Sequence, residues 1–191
     1  MKAERAAYLD AQGRYVASDV DPADAGDPMA TLLGFLERQR ATLAWKCGGL
    51  DAAGLGAAHA PSSMTLGGML KHLARFEDDM STEWLCGQPQ REPWNAVDWA
   101  ADRAWDWRTA GEDTPAELYA RWQEAVDRSR ALFAAAVTKP DARRPAGAPS
   151  LSYILINMIE EYARHNGHAD LIRESVDGLA GHDPPSSAPQ A

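Results

Sequence analysis

Four long segments of the chain repeat their apolar residues with the period of an α-helix, and no segment alternates convincingly as a strand does. They run from about residue 29 to 50, from about 65 to 86, from 114 to about 136, and from 150 to about 177. Four amphipathic helices of this length bury their apolar stripes most economically against one another. The pattern therefore predicts an all-α fold, a four-helix bundle.

Helix-terminating signals stand at the ends of these segments. Gly48-Gly49 is a plausible stop for the first segment. The third opens with Thr114-Pro115-Ala116-Glu117, a capping box with proline at the first helical position. Gly178 follows the fourth segment. These signals divide the chain into an N-terminal extension (1–28), the bundle (29–177) and a mobile C-terminal tail (178–191), with Tyr8, Tyr15 and Val16 available to pack the extension onto the body.

The connection between the second and third helices, residues 87–113, is long enough to cross the length of the bundle. It holds four tryptophans within 14 residues: Trp94, Trp99, Trp105 and Trp107. Indoles at this density indicate a packed segment that covers part of the bundle or lines a pocket. The plainer alternative is that they are the core of a loop subdomain.

Charge and cysteine content exclude several classes of protein. The chain has 19 Lys+Arg and 28 Asp+Glu, a net charge of −9, whereas binding to nucleic acid or an anionic membrane needs a basic surface. No apolar run approaches the ~20 residues that cross a bilayer, and the first residues have no apolar signal core. Cys47 and Cys86 form no CxxC pair, which disfavours a disulfide framework or a cysteine zinc site. We expect a cytoplasmic protein.

The fourth segment carries three titratable residues on its apolar stripe. On a helical wheel with Ile154 at zero, Glu161, His165 and His168 all lie within about 40° of it. Burying a carboxylate and two imidazoles is costly unless each group is paired, hydrogen-bonded or bound to a metal. These residues are therefore the first candidates for a functional site.

Glu161 and His165 are one helical turn apart, so both side chains can reach one point beside the helix. A mutual hydrogen bond and a bundle metal site both fit this spacing. A third ligand has to come from another helix, and His72, at the shoulder of the second stripe, is the histidine available there. Glu77 lies within that stripe, and we expect it to be a buried hydrogen-bond partner of Arg164 or of a ligand histidine.

Three stretches of sequence resemble the DinB-like superfamily. They are LERQRAT at 36–42 with Lys46, SMTLGGMLKHLA at 63–74 with Glu77, and MIEEYARHNGHADLIRE at 158–174 followed by Asp177-Gly178. Within the superfamily they are similar to an actinobacterial branch related to mycothiol-dependent S-transferases. The resemblance covers about residues 29–181. It implies a four-helix bundle with a long second crossover and a divalent metal held by three side chains near one end.

Carried over residue by residue, the resemblance implies His72, Glu161 and His165 as the metal ligands, with His168 as an alternative or outer ligand. Tyr162 stands where this branch usually has a small residue. The implied activity is a metal-dependent S-transferase that uses mycothiol, a low-molecular-weight thiol, as cosubstrate and acts on a small electrophile. Zinc is the default metal for two histidines and a glutamate, and nickel, iron or manganese suit the same ligands.

Two other functions remain open at this point. One is a non-catalytic bundle that binds a small ligand or serves in a stress response. The other is a metal-dependent hydrolase that uses Glu77 or His168 as a base, which makes these two residues the catalytic candidates. A homodimer is also left open.

Overall fold

The computed structural model describes residues 8–16, 22, 26–139 and 145–185. Its helices are α1 (Pro28–Cys47), α2 (Ala52–Gly56), α3 (Leu66–Asp78), α4 (Trp105–Arg108), α5 (Pro115–Thr138) and α6 (Leu151–Asp177). A π-helical turn, Asp79–Trp84, extends α3, and single 3-10 turns occur at Trp94–Ala96 and Ala110–Glu112. The residues just specified contain two isolated β-bridges and no strand. The predicted all-α fold is confirmed.

The four long helices α1, α3, α5 and α6 form the bundle. α1 packs mainly on α6 and α3 mainly on α5, while α3 also contacts α6 and α1. Their apolar stripes meet in one core. Large fully buried members of this core are Leu36, Leu43, Leu66, Met69, Leu70, Trp122, Phe133 and Tyr162. The predicted four-helix bundle is present, and α3 and α6 lie side by side in it. In the described part of the chain, no helix has the combination of length and apolar character needed to cross a membrane.

Local signals fix where these helices begin and end. The Thr114 hydroxyl accepts from the Glu117 amide at 3.3 Å, and the Glu117 carboxylate accepts from the Thr114 amide at 2.8 Å, so the capping box is formed. Gly48 caps α1. Gly178 ends α6 with φ of 80°, a left-handed conformation in which a Cβ would be strained. Capping residues therefore fix the start of α5 and the ends of α1 and α6.

Residues 8–16 of the N-terminal extension pack on the bundle. The Tyr8 ring is buried, and its hydroxyl donates to the Glu37 carboxylate and to the Glu37 carbonyl oxygen at 3.0 Å. Tyr15 is partly buried against the core, whereas Val16 is exposed. The expected packing thus comes from the two tyrosines, and this stretch is part of the molecule's body.

The C-terminal residues as far as 185 also contact α1. The Gly181 carbonyl oxygen accepts from Lys46 Nζ at 2.9 Å, and Asp183 pairs with Arg38. The sequence predicts a mobile tail from 178 to 191. Residues 178–185 contact the bundle through the Gly181 carbonyl oxygen and the Asp183 side chain; residues 186–191 fall outside the described part, and the mobility of the tail stays a prediction.

The tryptophan-bearing crossover lies against α3. Trp94 is buried and its Nε1 donates to Asp78 Oδ2 at 3.0 Å, while Trp99 Nε1 donates to the Trp94 carbonyl oxygen at 3.1 Å. The Arg75 guanidinium lies 3.8 Å from the centre of the Trp99 ring. The crossover then forms α4, which packs on α3 and carries Trp107 toward α6. The crossover is therefore packed against the bundle, as its tryptophans predicted.

Candidate metal centre

His72 on α3 and Glu161 and His165 on α6 converge at one point. His72 Nε2 lies 3.1 Å from Glu161 Oε1, and His165 Nε2 lies 3.2 Å from the same oxygen. One ligand atom from each of the three residues lies within 4.8 Å of the other two. The structure therefore brings together the three residues that the resemblance implied as ligands.

The helices place this cluster at the edge of the core. His165 is buried, but the side chains of His72 and Glu161 are 17% and 26% exposed. The wheel put Glu161 in the middle of the buried stripe, whereas the structure leaves it half-buried. The partial exposure of His72 and Glu161 gives the cluster an approach from solvent. A site with this exposure can receive a small molecule.

Asp106 on α4 is a fourth member of the site that the sequence did not reveal. Its carboxylate is fully buried, and its Oδ2 lies 2.9 Å from His72 Nδ1. Arg75 Nη1 donates to the same oxygen at 3.2 Å, and the Trp107 amide donates to Oδ1 at 3.0 Å. The only local signal for it is an acidic residue flanked by tryptophans, Trp105-Asp106-Trp107. Asp106 joins the crossover to the histidine of α3.

Trp107 forms one wall of the cluster. Its ring stacks on His72 with centroids 4.9 Å apart and an interplanar angle of 29°, and it lies 5.4 Å from the His165 ring. Gly68, one turn before His72, allows this approach: a Cβ at that position would lie 2.7 Å from the indole. The Trp107 ring can therefore lie here only because Gly68 has no side chain.

The histidines and carboxylates of the cluster shift one another's pKa values. Burial opposes the charged form of His72, but its hydrogen bonds to Asp106 and Glu161 outweigh this and raise the pKa of the imidazole. The neighbouring His165 and His72 hold the pKa of the Glu161 carboxyl well below its usual range. Burial likewise works to raise the pKa of Asp106, and the hydrogen bond from His72 overcomes it and lowers that pKa. Both carboxyl groups are ionised at neutral pH.

His168 lies beside the cluster. Its ring centroid is 5.6 Å from that of His165, and its Nδ1 is buried with no hydrogen-bond partner among the described residues. Desolvation, followed by the proximity of His165 and Arg164, lowers the pKa of His168. The structure thus brings His168 near the three candidate ligands, while His59 and His182 are exposed elsewhere.

Glu77 is in a different environment from the one expected. Its carboxylate is fully buried and accepts from Arg40 Nη2 at 2.6 Å, from the Ser129 hydroxyl at 2.5 Å and from the Tyr162 hydroxyl at 2.7 Å. Arg164 pairs instead with Glu160 at 2.9 Å. The expected partners, Arg164 or a ligand histidine, are therefore wrong. A role as a base does not fit either, because both Glu77 oxygens are committed to a charge pair inside the core.

The donor set fits a divalent metal. Two imidazole nitrogens and one carboxylate oxygen are ligands that Zn²⁺ and related ions accept, and three protein ligands leave a position for a further molecule. His72 also has the hydrogen-bonded carboxylate that metal-binding histidines almost always have on their other ring nitrogen. Glu161 Oε1 lies within hydrogen-bonding distance of both imidazoles, so the three donor groups already face one another.

Comparison with known proteins gives a family for the chain. A family model described as mycothiol-S-transferase matches residues 31–178, which include all of the helices that form the site. No curated protein and no solved structure is significantly similar to the chain.

Proposed function

Because the chain belongs to the mycothiol-S-transferase family, we propose that it joins mycothiol to a small electrophilic substrate in a metal-dependent reaction. The observation that carries this proposal is the His72, Glu161 and His165 cluster, with its ligand atoms within 4.8 Å of one another. Family membership supports mycothiol as the cosubstrate, and the cluster supports the need for a metal. The electrophile is a small molecule, in keeping with a cluster in which His165 is buried and only His72 and Glu161 are partly exposed.

The three side chains would hold one divalent ion, with zinc as the ion that two histidines and a carboxylate most often bind. Such an ion would supply a Lewis acid that lowers the pKa of a coordinated thiol and so favours the nucleophilic thiolate. Within the protein, Glu161 contributes the negative charge of the site, and His72 and His165 contribute neutral donors.

The residues around the cluster would control access and protons. Trp107 covers one side of His72 and His165, so solvent and substrate must approach from the side where Glu161 is exposed. His168 is the candidate for proton transfer, because its ring lies next to His165 and its Nδ1 is uncommitted among the described residues. A hydrolase would use the same metal and His168 with water as nucleophile, whereas a binding protein needs no metal.

Elemental analysis of protein purified without a chelator tests the metal assignment. We expect about one divalent ion per chain in the wild type and near-zero occupancy in His72→Ala, because two remaining ligands hold the ion weakly. His59→Ala is the matched control, since His59 is an exposed histidine away from the cluster. Full occupancy in His72→Ala, or equal loss in His59→Ala, would contradict the ligand set.

Conjugation of monobromobimane separates the three functions. With the metal-loaded protein, the proposal predicts a rate above background only when mycothiol is added. A metal-loaded protein that hydrolyses activated esters and ignores mycothiol would be a hydrolase, and a metal-free protein without either activity would be the binding bundle. The homodimer that the sequence leaves open and the expected cytoplasmic location both stay untested, and light scattering in solution tests the first.

A further inference from the structure

His72 faces a carboxylate on each side of its ring. Nδ1 lies 2.9 Å from Asp106 Oδ2, and Nε2 lies 3.1 Å from Glu161 Oε1. An ionised carboxylate only accepts hydrogen bonds, and a neutral imidazole has one proton to give. The two carboxylates therefore compete for the single proton of neutral His72. The outcome decides whether Nε2, the nitrogen that faces the cluster, has a free lone pair.

The surroundings of the two carboxylates are unequal. Asp106 is fully buried, so its interaction with His72 is screened little by water, whereas the Glu161 side chain is 26% exposed. Glu161 Oε1 is also shared with His165 at 3.2 Å. Arg75 and the Trp107 amide hold Asp106 in place from two other directions. These differences favour a proton on Nδ1.

From this arrangement we infer that Asp106 is a positioning residue for the metal centre: it keeps the His72 proton on Nδ1 and thereby leaves Nε2 free to bind a metal. Trp107, stacked on the ring, fixes the plane in which Nε2 points. The inference rests on the metal site of the proposed function and adds the residue that prepares it. Without Asp106, Glu161 is the remaining carboxylate partner of His72, and the proton moves to Nε2, where it blocks the ligand.

Zn²⁺ affinity measured by competition with a chromophoric chelator tests this role. Loss of a carboxylate that orients a ligand histidine typically weakens metal binding about 10- to 100-fold, and we expect a loss of this size in Asp106→Ala. Asp106→Asn keeps the shape of the side chain but replaces one acceptor oxygen with a donor group, so we expect a loss in the same direction. A residue needed only for packing would leave Asp106→Asn close to the wild type.

Asp102→Ala is the matched control. Asp102 lies in the same crossover and pairs with Arg108 at the surface, at 2.5 Å, without contact to the cluster. We expect its Zn²⁺ affinity to equal that of the wild type. An equal loss in Asp102→Ala and Asp106→Ala, or wild-type affinity in folded Asp106→Ala, would overturn the inference.

The tautomer itself is a second readout that does not depend on activity or on a stable variant. In 15N–1H correlation spectra of the metal-free wild type, at a pH where His72 is neutral, we expect the His72 proton on Nδ1. In Asp106→Ala we expect it on Nε2. A wild-type proton on Nε2 would overturn the inference even if the variants fail to fold. If the wild type binds no Zn²⁺ at all, the metal site of the proposed function is wrong whatever the tautomer of His72. Failure of the proposed function can thus be distinguished from failure of the inference about Asp106.

Discussion

At the scale of single residues, Arg40 organises the polar interior of the bundle. Its guanidinium is fully buried and lies between two carboxylates, with Nη1 2.7 Å from Glu37 Oε1 and Nη2 2.6 Å from Glu77 Oε2. Arg130 binds the other side of Glu37 at 2.8 Å. Removing one partner of such a network leaves a buried charge uncompensated, which makes these contacts important for stability.

Glu37 should make the stability depend on acid pH. Burial acts to raise the pKa of its carboxyl, but Arg40 and Arg130 outweigh burial and hold that pKa well below its usual value of 4.5. The folded state then binds this proton less readily than the unfolded chain, so the stabilisation is complete above about pH 4.5 and is lost as the pH falls. We expect Glu37→Gln to be about 1.5–3 kcal/mol less stable near neutral pH and to lose less stability on acidification.

Urea unfolding of metal-free protein at several pH values measures this effect. Glu124→Gln is the control, because Glu124 is exposed and its pair with Arg128, at 3.9 Å, is weak. If the stability of Glu37→Gln falls with pH as steeply as that of the wild type, the proton assigned to Glu37 belongs to another group.

The two cysteines should be dispensable for thiol transfer. Cys47 is fully buried, and burial raises its pKa to about 12, so it is not a thiolate at neutral pH. Cys86 is half-buried and lies in no cluster that could hold a metal among the described residues. We expect the Cys47→Ala/Cys86→Ala protein to keep its metal content and its mycothiol-dependent conjugation rate within about twofold. Loss of conjugation with retained metal would place the nucleophile on the protein.

Sequence reasoning found the three candidate ligands because the spacing of Glu161 and His165 and the resemblance both point to them. It missed Asp106 because a helical wheel carries no information about a connection, and 33 residues separate Asp106 from His72 in the chain. It also misjudged the partners of Glu77. A wheel gives the face on which a residue lies but not its height along the bundle, and Glu77 lies level with Arg40 of α1.

At the scale of elements, the site depends on how closely α4 approaches α3. Short helices such as α2 and α4, with five and four residues, have too few turns to show a periodic pattern, so the sequence predicted neither. The long helices were predicted because their periods and caps agree. The contact of α4 with α3 is made by Trp107 over Gly68, in a space that has no room for a Cβ.

Gly68→Ala should therefore destabilise the protein although alanine favours helices. Its Cβ would lie 2.7 Å from the Trp107 ring and 3.0 Å from the Thr65 hydroxyl oxygen, so the indole must shift. We expect a loss of about 1–3 kcal/mol, as for other overpacked positions, with weaker Zn²⁺ binding. Gly167→Ala is the control, because a Cβ at position 167 would meet no described residue within 4 Å apart from the neighbouring backbone of its own helix, and we expect a gain of about 0.4–1 kcal/mol. Equal stability of the two variants in thermal unfolding would show that the contact is loose.

At the scale of the whole molecule, the bundle could be predicted because four amphipathic helices have few other ways to bury their stripes. The packing of Tyr8 on the bundle was expected from the sequence, but its partner Glu37 and the contact of Gly181 with Lys46 were not, because no local pattern encodes these contacts to α1. The assembled fold brings together α3, α4 and α6 at one edge, and each contributes a different part of the site: one ligand, its carboxylate partner, and the paired ligands one turn apart.

Titration of the metal-free protein with Zn²⁺, with the initial rate of mycothiol conjugation to monobromobimane as the readout, tests the central claim most directly. If His72, Glu161 and His165 hold one ion that activates the thiol, the rate rises in proportion to added Zn²⁺ and stops rising at about one equivalent per chain. A rate that is the same at zero and at one equivalent would contradict the claim, because thiol transfer would then need no metal at this cluster.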